Sequence, residues 1–373
     1  MVGNNIPVFF IQDAMNFPDL VHAVKPEPNN EMPQAASAHD TFWDFISLMP
    51  EAAHMVMWTM SDRAIPRSFR MMEGFGVHTF KFVNAEGKGT FVKFHWKPKL
   101  GVHSVAWNEA QKISGFDADF HRRDLWENIE KGNFPQWDLG VQLVPEEDEH
   151  KFSFDLLDAT KIIPEELVPV EIIGTMTLNR NPENFFAETE QIAFDPGRIV
   201  PGIDLTNDPL LQGRVFSYAD TQNYRLGGPN FHEISINRSV NGKFNNQKDG
   251  FGRQDILKGN VSYFPNSLGG GCPYHAMLKG EDGFKSHEEK VDGKKVRRRS
   301  LLLQIILPSR LFFNSQSKPE QEHMINAYSF ELSKVNSVDV RKRELAILNQ
   351  IDKELAARVG ANLRIEPASN WMN

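Results

Sequence analysis

The segment GVHTFKFVNAEGKGTFVKFHWKP, residues 76–98, constrains the fold more than any other. Apolar and polar residues alternate on both sides of NAEGKG, so each flank presents one apolar face while the Gly-rich centre reverses the chain. The reading is an antiparallel hairpin with Phe80, Phe82, Phe91 and Phe94 at its bulky positions. A lone hairpin leaves an apolar face and two edges uncovered, so further strands and a second layer must cover it. HKFSFDLLD (150–158) and VEIIGTMTLNR (170–180) are candidate strands. Residues 36–50, 51–60 and 108–133 carry helical spacing instead. Strands interrupted by helices, with no dinucleotide fingerprint after any of them, give an α+β class: an antiparallel sheet or barrel with helical insertions.

From about 181 to 320 Pro, Gly and Asn recur and no period holds, as in FDPGRIVPGIDLTNDP. A structureless stretch of that length is rare unless it wraps another surface, so an oligomer of embracing subunits is expected. Helical spacing returns over 318–364. The chain therefore divides into a sheet region (1–181), a wrapping segment (182–317) and a C-terminal helical subdomain (318–373).

At 373 residues and 40% hydrophobic content a large core is affordable. The 28 Phe and 7 Trp suit a thick core or a broad, flat, apolar ligand. A net charge of -8 opposes non-specific nucleic-acid binding, and KKVRRRS (294–300) reads as a solvated or intersubunit patch. The opening apolar run is too short to span a membrane and has no basic region before it, and Cys272 is the single cysteine. A cytoplasmic, non-membrane protein is expected. MVGNNIPVFFIQDA nevertheless reads as core sequence, which implies a preceding segment.

Asp208 followed by Pro209 signals a helix start, and Gly227-Gly228-Pro229 signals its end. Between them Arg214, Tyr218, Thr221 and Arg225 share one face. Spacing alone fits a solvated surface helix as well as a site. The functional reading makes Tyr218 an ionised phenol on haem iron, with Arg214 beside it and Arg225 meeting an anionic group of the cofactor.

GRVFSYADTQNYRLGG resembles the proximal haem-ligand signature of monofunctional haem catalases. VGNNIPVFFIQDAMNFPDLVHAVK, FRMMEGFGVHTFKFVNAEGKGTFVKFHWKP, LNRNPENFFAETEQIAFDPG and GGPNFHEISINR resemble further catalase blocks in the same order. The likeness is to the large-subunit branch, whose flavodoxin-like C-terminal domain would be absent here. It implies a catalase-like β-barrel lacking its first strands, homotetrameric assembly, and a haem that is either iron protoporphyrin IX or an oxidised chlorin. Hydrogen peroxide would be the substrate, split to water and oxygen.

Residue by residue, the resemblance makes Tyr218 the iron ligand, Arg214 its hydrogen-bonding partner and His78 the histidine backing that arginine. Arg225 matches a propionate contact, and Asn4 the distal amide that orients peroxide. Phe17 matches the ring against the distal haem face, and Phe9 the inner end of the substrate channel. Two departures stand out. The distal histidine block of the family has no counterpart in the sequence, so impaired turnover is expected: an amide cannot carry protons at neutral pH. Position 195 is Asp where some large-subunit catalases have a histidine joined to the ligand tyrosine. A haem-binding or structural relic without activity, or an enzyme using organic hydroperoxides, are the alternatives.

Overall fold

The computed structural model describes residues 4–32, 36–240, 247–263, 266, 268, 287 and 302–368. Cys272 and the basic run at 294–300 lie outside the described residues.

An antiparallel sheet of six strands curls into part of a barrel. Its strands are β1 (Gly74–Phe75), β2 (Phe80–Val83), β3 (Gly89–Pro98), β4 (Gln136–Pro145), β5 (Glu171–Thr177) and β6 (Ile203–Asp204). They run in the order β5-β4-β3-β2-β6, with the short β1 also paired to β3. The expected hairpin forms as β2 and β3, with Phe80 opposite Val92 and Val83 opposite Gly89. Gly87, at φ +82, lies in the turn, where a side chain would be strained.

β3 is the axis of the sheet because it is flanked on both sides and buries both faces. Val92 and Phe94 pack with Val141 on one face. Phe91 packs with Val144, Leu156, Leu157 and Ile163 on the other.

One expected strand does not form. Residues 150–158 form no strand. Their phenylalanines and leucines do turn to the core, but Asp155 Oδ1 accepts from Leu157 N (2.9 Å) and Asp158 Oδ1 from Thr160 N (2.8 Å). Those side-chain turns bend the backbone out of ladder geometry. β4, which the sequence reading does not anticipate, takes the place beside β3 instead.

The helices are α1 (Phe17–Val24), α2 (Ala36–Leu48), α3 (Ala53–Thr59), α4 (Trp107–Phe116), α5 (Phe120–Glu130) and α6 (Pro209–Arg225), followed by α7 (Leu302–Ser315), α8 (Lys318–Ser333), α9 (Val338–Ile351) and α10 (Lys353–Leu363). The expected helical segments before residue 133 and after 318 all form. α7 also forms, inside the stretch expected to be irregular to about 320.

One apolar core joins distant parts of the chain. Trp43 and Ile46 from α2 and Val56 and Met57 from α3 pack with Tyr328, Leu332, Leu345 and Leu355 from α8, α9 and α10. Arg310 of α7 donates to the terminal carbonyls of α9, through Nε to Ile351 O at 2.9 Å. A cation there complements the negative end of that helix. Among the described residues, no helix is long and apolar enough to cross a membrane.

Candidate functional site

α6 starts as its sequence dictates. Asp208 Oδ1 accepts from Leu210 N (2.9 Å) and Leu211 N (3.0 Å), capping backbone donors that the first turn leaves free. Pro209 follows as the first helical residue, and Gly227 at φ +84 ends the helix. Leu210 and Leu211 are buried, with Leu210 in an apolar cluster of Ile11, Leu20, Val77 and Ala159. Phe9 packs against that cluster from its partly exposed side.

The second oxygen of Asp208 gives the cap another purpose. His78 Nδ1 donates to Asp208 Oδ2 at 2.5 Å, and both side chains are almost fully buried. Burial is the largest influence on His78 and lowers its pKa; the Asp208 hydrogen bond opposes this, while Arg214 and Lys93 lower it further. The ring is therefore neutral, with its proton on Nδ1. Its Nε2 is left as a buried acceptor with no partner among the described residues.

A strained backbone delivers His78 to this position. His78 N donates to Gly76 O at 2.7 Å across Val77, which sits at φ +60. A three-residue turn of this hand is rare, and a β-branched residue at positive φ costs about 1–3 kcal/mol. The turn takes the chain off β1 before β2 begins.

One turn into α6, Arg214 Nη2 donates to the Tyr218 hydroxyl oxygen at 2.7 Å. The guanidinium carbon also lies 4.9 Å from the Tyr218 ring centre. The phenol oxygen thus accepts an N–H and keeps its O–H and second lone pair for another partner. The helix closes with polar fasteners: Gln222 Nε2 donates to Phe194 O (2.9 Å), and Arg225 Nη1 donates to Glu190 O (2.8 Å). Arg225 Nη2 adds Gln222 Oε1 at 2.6 Å. Arg225 therefore ties α6 to the 190–192 segment, and a carboxylate ligand would have to share it with those carbonyls.

The remaining expected residues lie on the N-terminal segment. Asn4 and Phe75 exchange backbone hydrogen bonds of 2.8 and 2.7 Å, which fixes Asn4 beside the end of β1, three residues before His78. Its side-chain amide has no hydrogen-bond partner among the described residues. Phe17 opens α1 and is partly exposed. The turn before it lies directly on α6, because a Cβ at Gly213 would come within 2.1 Å of Ala14 Cβ. Only glycine permits that approach.

Tyr218, Arg214, His78 and Asp208 are thus gathered at one helix, with Phe9 on the apolar cluster beneath. Asp208, Gly213, Val77 and Lys93 escape the sequence reading. Asp208 shows in sequence only as a helix cap; its pairing with His78, 130 residues away, leaves no local signal.

If the chain holds an iron porphyrin, the oxygen donor that could meet it is the Tyr218 phenol held by Arg214, with the buried His78–Asp208 pair at the start of the same helix. Exposed Met15 and Phe17 add apolar surface beside α6. A cavity of about 440 Å³ lies elsewhere, lined by Asn5, Phe69, Val105, Ile113 and His121, so Tyr218 is not enclosed by it.

Comparison with known families places a catalase model over residues 1–270 and a catalase-related immune-responsive model over 309–363. The chain belongs to the catalase family. It is 65% identical over 366 residues to catalase HPII of Pseudomonas putida, covering 97% of this chain and 52% of that protein. Catalase-2 of Bacillus subtilis (strain 168) is 62% identical, with 98% of this chain and 53% of that catalase covered. Catalase-B of Dictyostelium discoideum is 56% identical, at 99% and 54% coverage. The chain spans about half the length of the curated catalases it matches.

Proposed function

We propose that this chain binds haem through Tyr218 and belongs to an enzyme that converts two molecules of hydrogen peroxide into two of water and one of oxygen. The observation that carries the reading is the Arg214–Tyr218 hydrogen bond of 2.7 Å, backed by the buried His78–Asp208 pair. When bound, haem supplies a redox-active iron that exchanges electrons with peroxide.

The chain's own residues supply the rest. Tyr218 offers its oxygen to the iron, and Arg214 compensates negative charge on that oxygen at hydrogen-bond range. His78 is kept neutral by burial and aimed by Asp208, so it adds no positive charge to that of Arg214. Asn4 donates an amide N–H to orient peroxide. Phe17 would offer an apolar ring to the porphyrin, and Phe9 would narrow access so that a small peroxide fits better than a bulky hydroperoxide. Arg225 sits where a propionate would compete for its N–H groups. Family membership supports assembly as a homotetramer.

An amide orients peroxide but does not move its proton, and that transfer needs a group titrating near neutrality. The residues named here are therefore proposed to bind haem and orient peroxide, and the proton transfer falls to a group not among them. The test combines haem titration, followed by the Soret band, with oxygen release measured against free haem. Stoichiometric binding with oxygen release above free haem supports the enzyme. Binding with no such release leaves a haem protein without turnover, and no Soret shift removes the reading.

A further inference from the structure

Lys93, in the middle of β3, is buried. Its ammonium donates to Val77 O at 3.1 Å and to Lys161 O at 3.4 Å. Burial pushes its pKa down to about 8, while Asp208 and Asp158 push it back up. The group is still charged at neutral pH. A buried cation spent on two backbone carbonyls is an expensive device, and an apolar residue would fill the same space at less cost.

Its acceptors give the device a purpose. Val77 is the centre of the strained turn whose next residue is His78. Lys161 belongs to the loop in which Ala159 O accepts from Phe9 N at 2.9 Å and Thr160 O accepts from His54 Nδ1 at 2.9 Å. That loop is also braced by Asp158, whose Oδ2 accepts from Lys161 Nζ at 3.1 Å. The Lys93 ammonium thus bridges a strained turn to a well-anchored loop. It also places a positive charge near Asp208, the carboxylate that fixes the His78 tautomer.

We propose that Lys93 is a positioning residue of the proximal site: by holding the Val77 carbonyl it keeps the turn that aims His78 at Asp208, and so the neutral imidazole behind Arg214 and Tyr218. The functional half of this inference rests on the haem reading above. The structural half does not.

The test is ¹⁵N NMR of the His78 ring in the full, haem-free chain, assigned by loss of the signal in His78→Gln. The wild-type ring carries its proton on Nδ1. In Lys93→Met at least half of the signal moves to the Nε2–H tautomer or to a second set of resonances. In the double variant Val77→Gly/Lys93→Met the wild-type signals return, because glycine holds the positive φ without help. A purely packing role for Lys93 predicts no such rescue.

Unchanged ring signals in Lys93→Met, or a double variant no closer to wild type than the single, overturn the proposal. If Lys93→Met does not fold, the double variant decides alone: wild-type ring signals support the proposal, and altered signals or an unfolded chain overturn it. Haem uptake by Tyr218→Phe is measured in parallel. A Tyr218→Phe spectrum equal to wild type, with the Lys93 results as predicted, defeats the haem reading and leaves the positioning role standing.

Discussion

The helical unit and α6 differ in how they are held. In the helical unit the interior is sealed by apolar contact, with Met324, Leu332, Leu345 and Leu355 fully buried. α6 is 17 residues long yet buries only Leu210, Leu211 and Gln222, while Phe216 on it is 79% exposed. It is fixed by its ends instead, through Asp208 at the start and Gln222 and Arg225 at the close. The lesson is that a helix that buries little of its own surface can be positioned by polar fasteners at its ends.

The sharpest way to break that contrast is to remove one side chain from each. Leu345→Ala is expected to destabilise the chain by about 2–5 kcal/mol, from lost transfer energy and a cavity. Phe216→Ala is expected to change stability by less than about 0.5 kcal/mol. Chemical denaturation of both variants checks this, and comparable losses would dissolve the distinction.

Next in size is an ionisable group inside the helical core. Glu344 is buried there, one of its oxygens has no partner among the described residues, and burial raises its pKa to about 8. The unfolded chain ionises this carboxyl near 4.5, so stability is highest below that value and is lost as pH rises towards about 8. At about 1.4 kcal/mol per pKa unit the loss amounts to a few kcal/mol. Glu344→Gln is expected to flatten the fall in melting temperature between pH 5 and about 9, and a slope equal to wild type would contradict the assignment.

Asp208 allows the two tasks of one residue to be separated. Asp208→Ala removes the cap, at about 0.5–2 kcal/mol, and strands the buried His78 N–H, at about 1–3 kcal/mol. Asp208→Asn keeps a good cap and removes the charge that faces His78. Denaturation is expected to show a large loss for the first and a small one for the second, while ring NMR shows His78 disturbed in both. In the same denaturation experiment Gly213→Ala is expected to cost about 1–3 kcal/mol by forcing the Ala14 turn off α6.

What sequence revealed follows the reach of each signal. The β2–β3 hairpin was legible because its period of two and its Gly-rich turn are local. α6 was legible from Asp208-Pro209 at one end and Gly227 at the other. β4 was not, since Gly140 and the buried Gln142 interrupt its apolar run. Gln142 is satisfied only in the fold, by donating to Ile163 O (3.0 Å) and Val168 O (2.7 Å). Arg214 and Tyr218 could be paired by helical spacing. His78 came from family resemblance, and its contact with Asp208, the Val77 turn and the Lys93 bridge arise only when distant segments meet.

The central claim is that the Tyr218 oxygen, held by Arg214, is where iron binds. Haem titration of wild type and Tyr218→Phe, compared by the Soret and charge-transfer bands, tests it most directly. The account predicts that the variant loses the tyrosinate signature and binds haem at least tenfold more weakly. Identical uptake and identical spectra for the two proteins would contradict it.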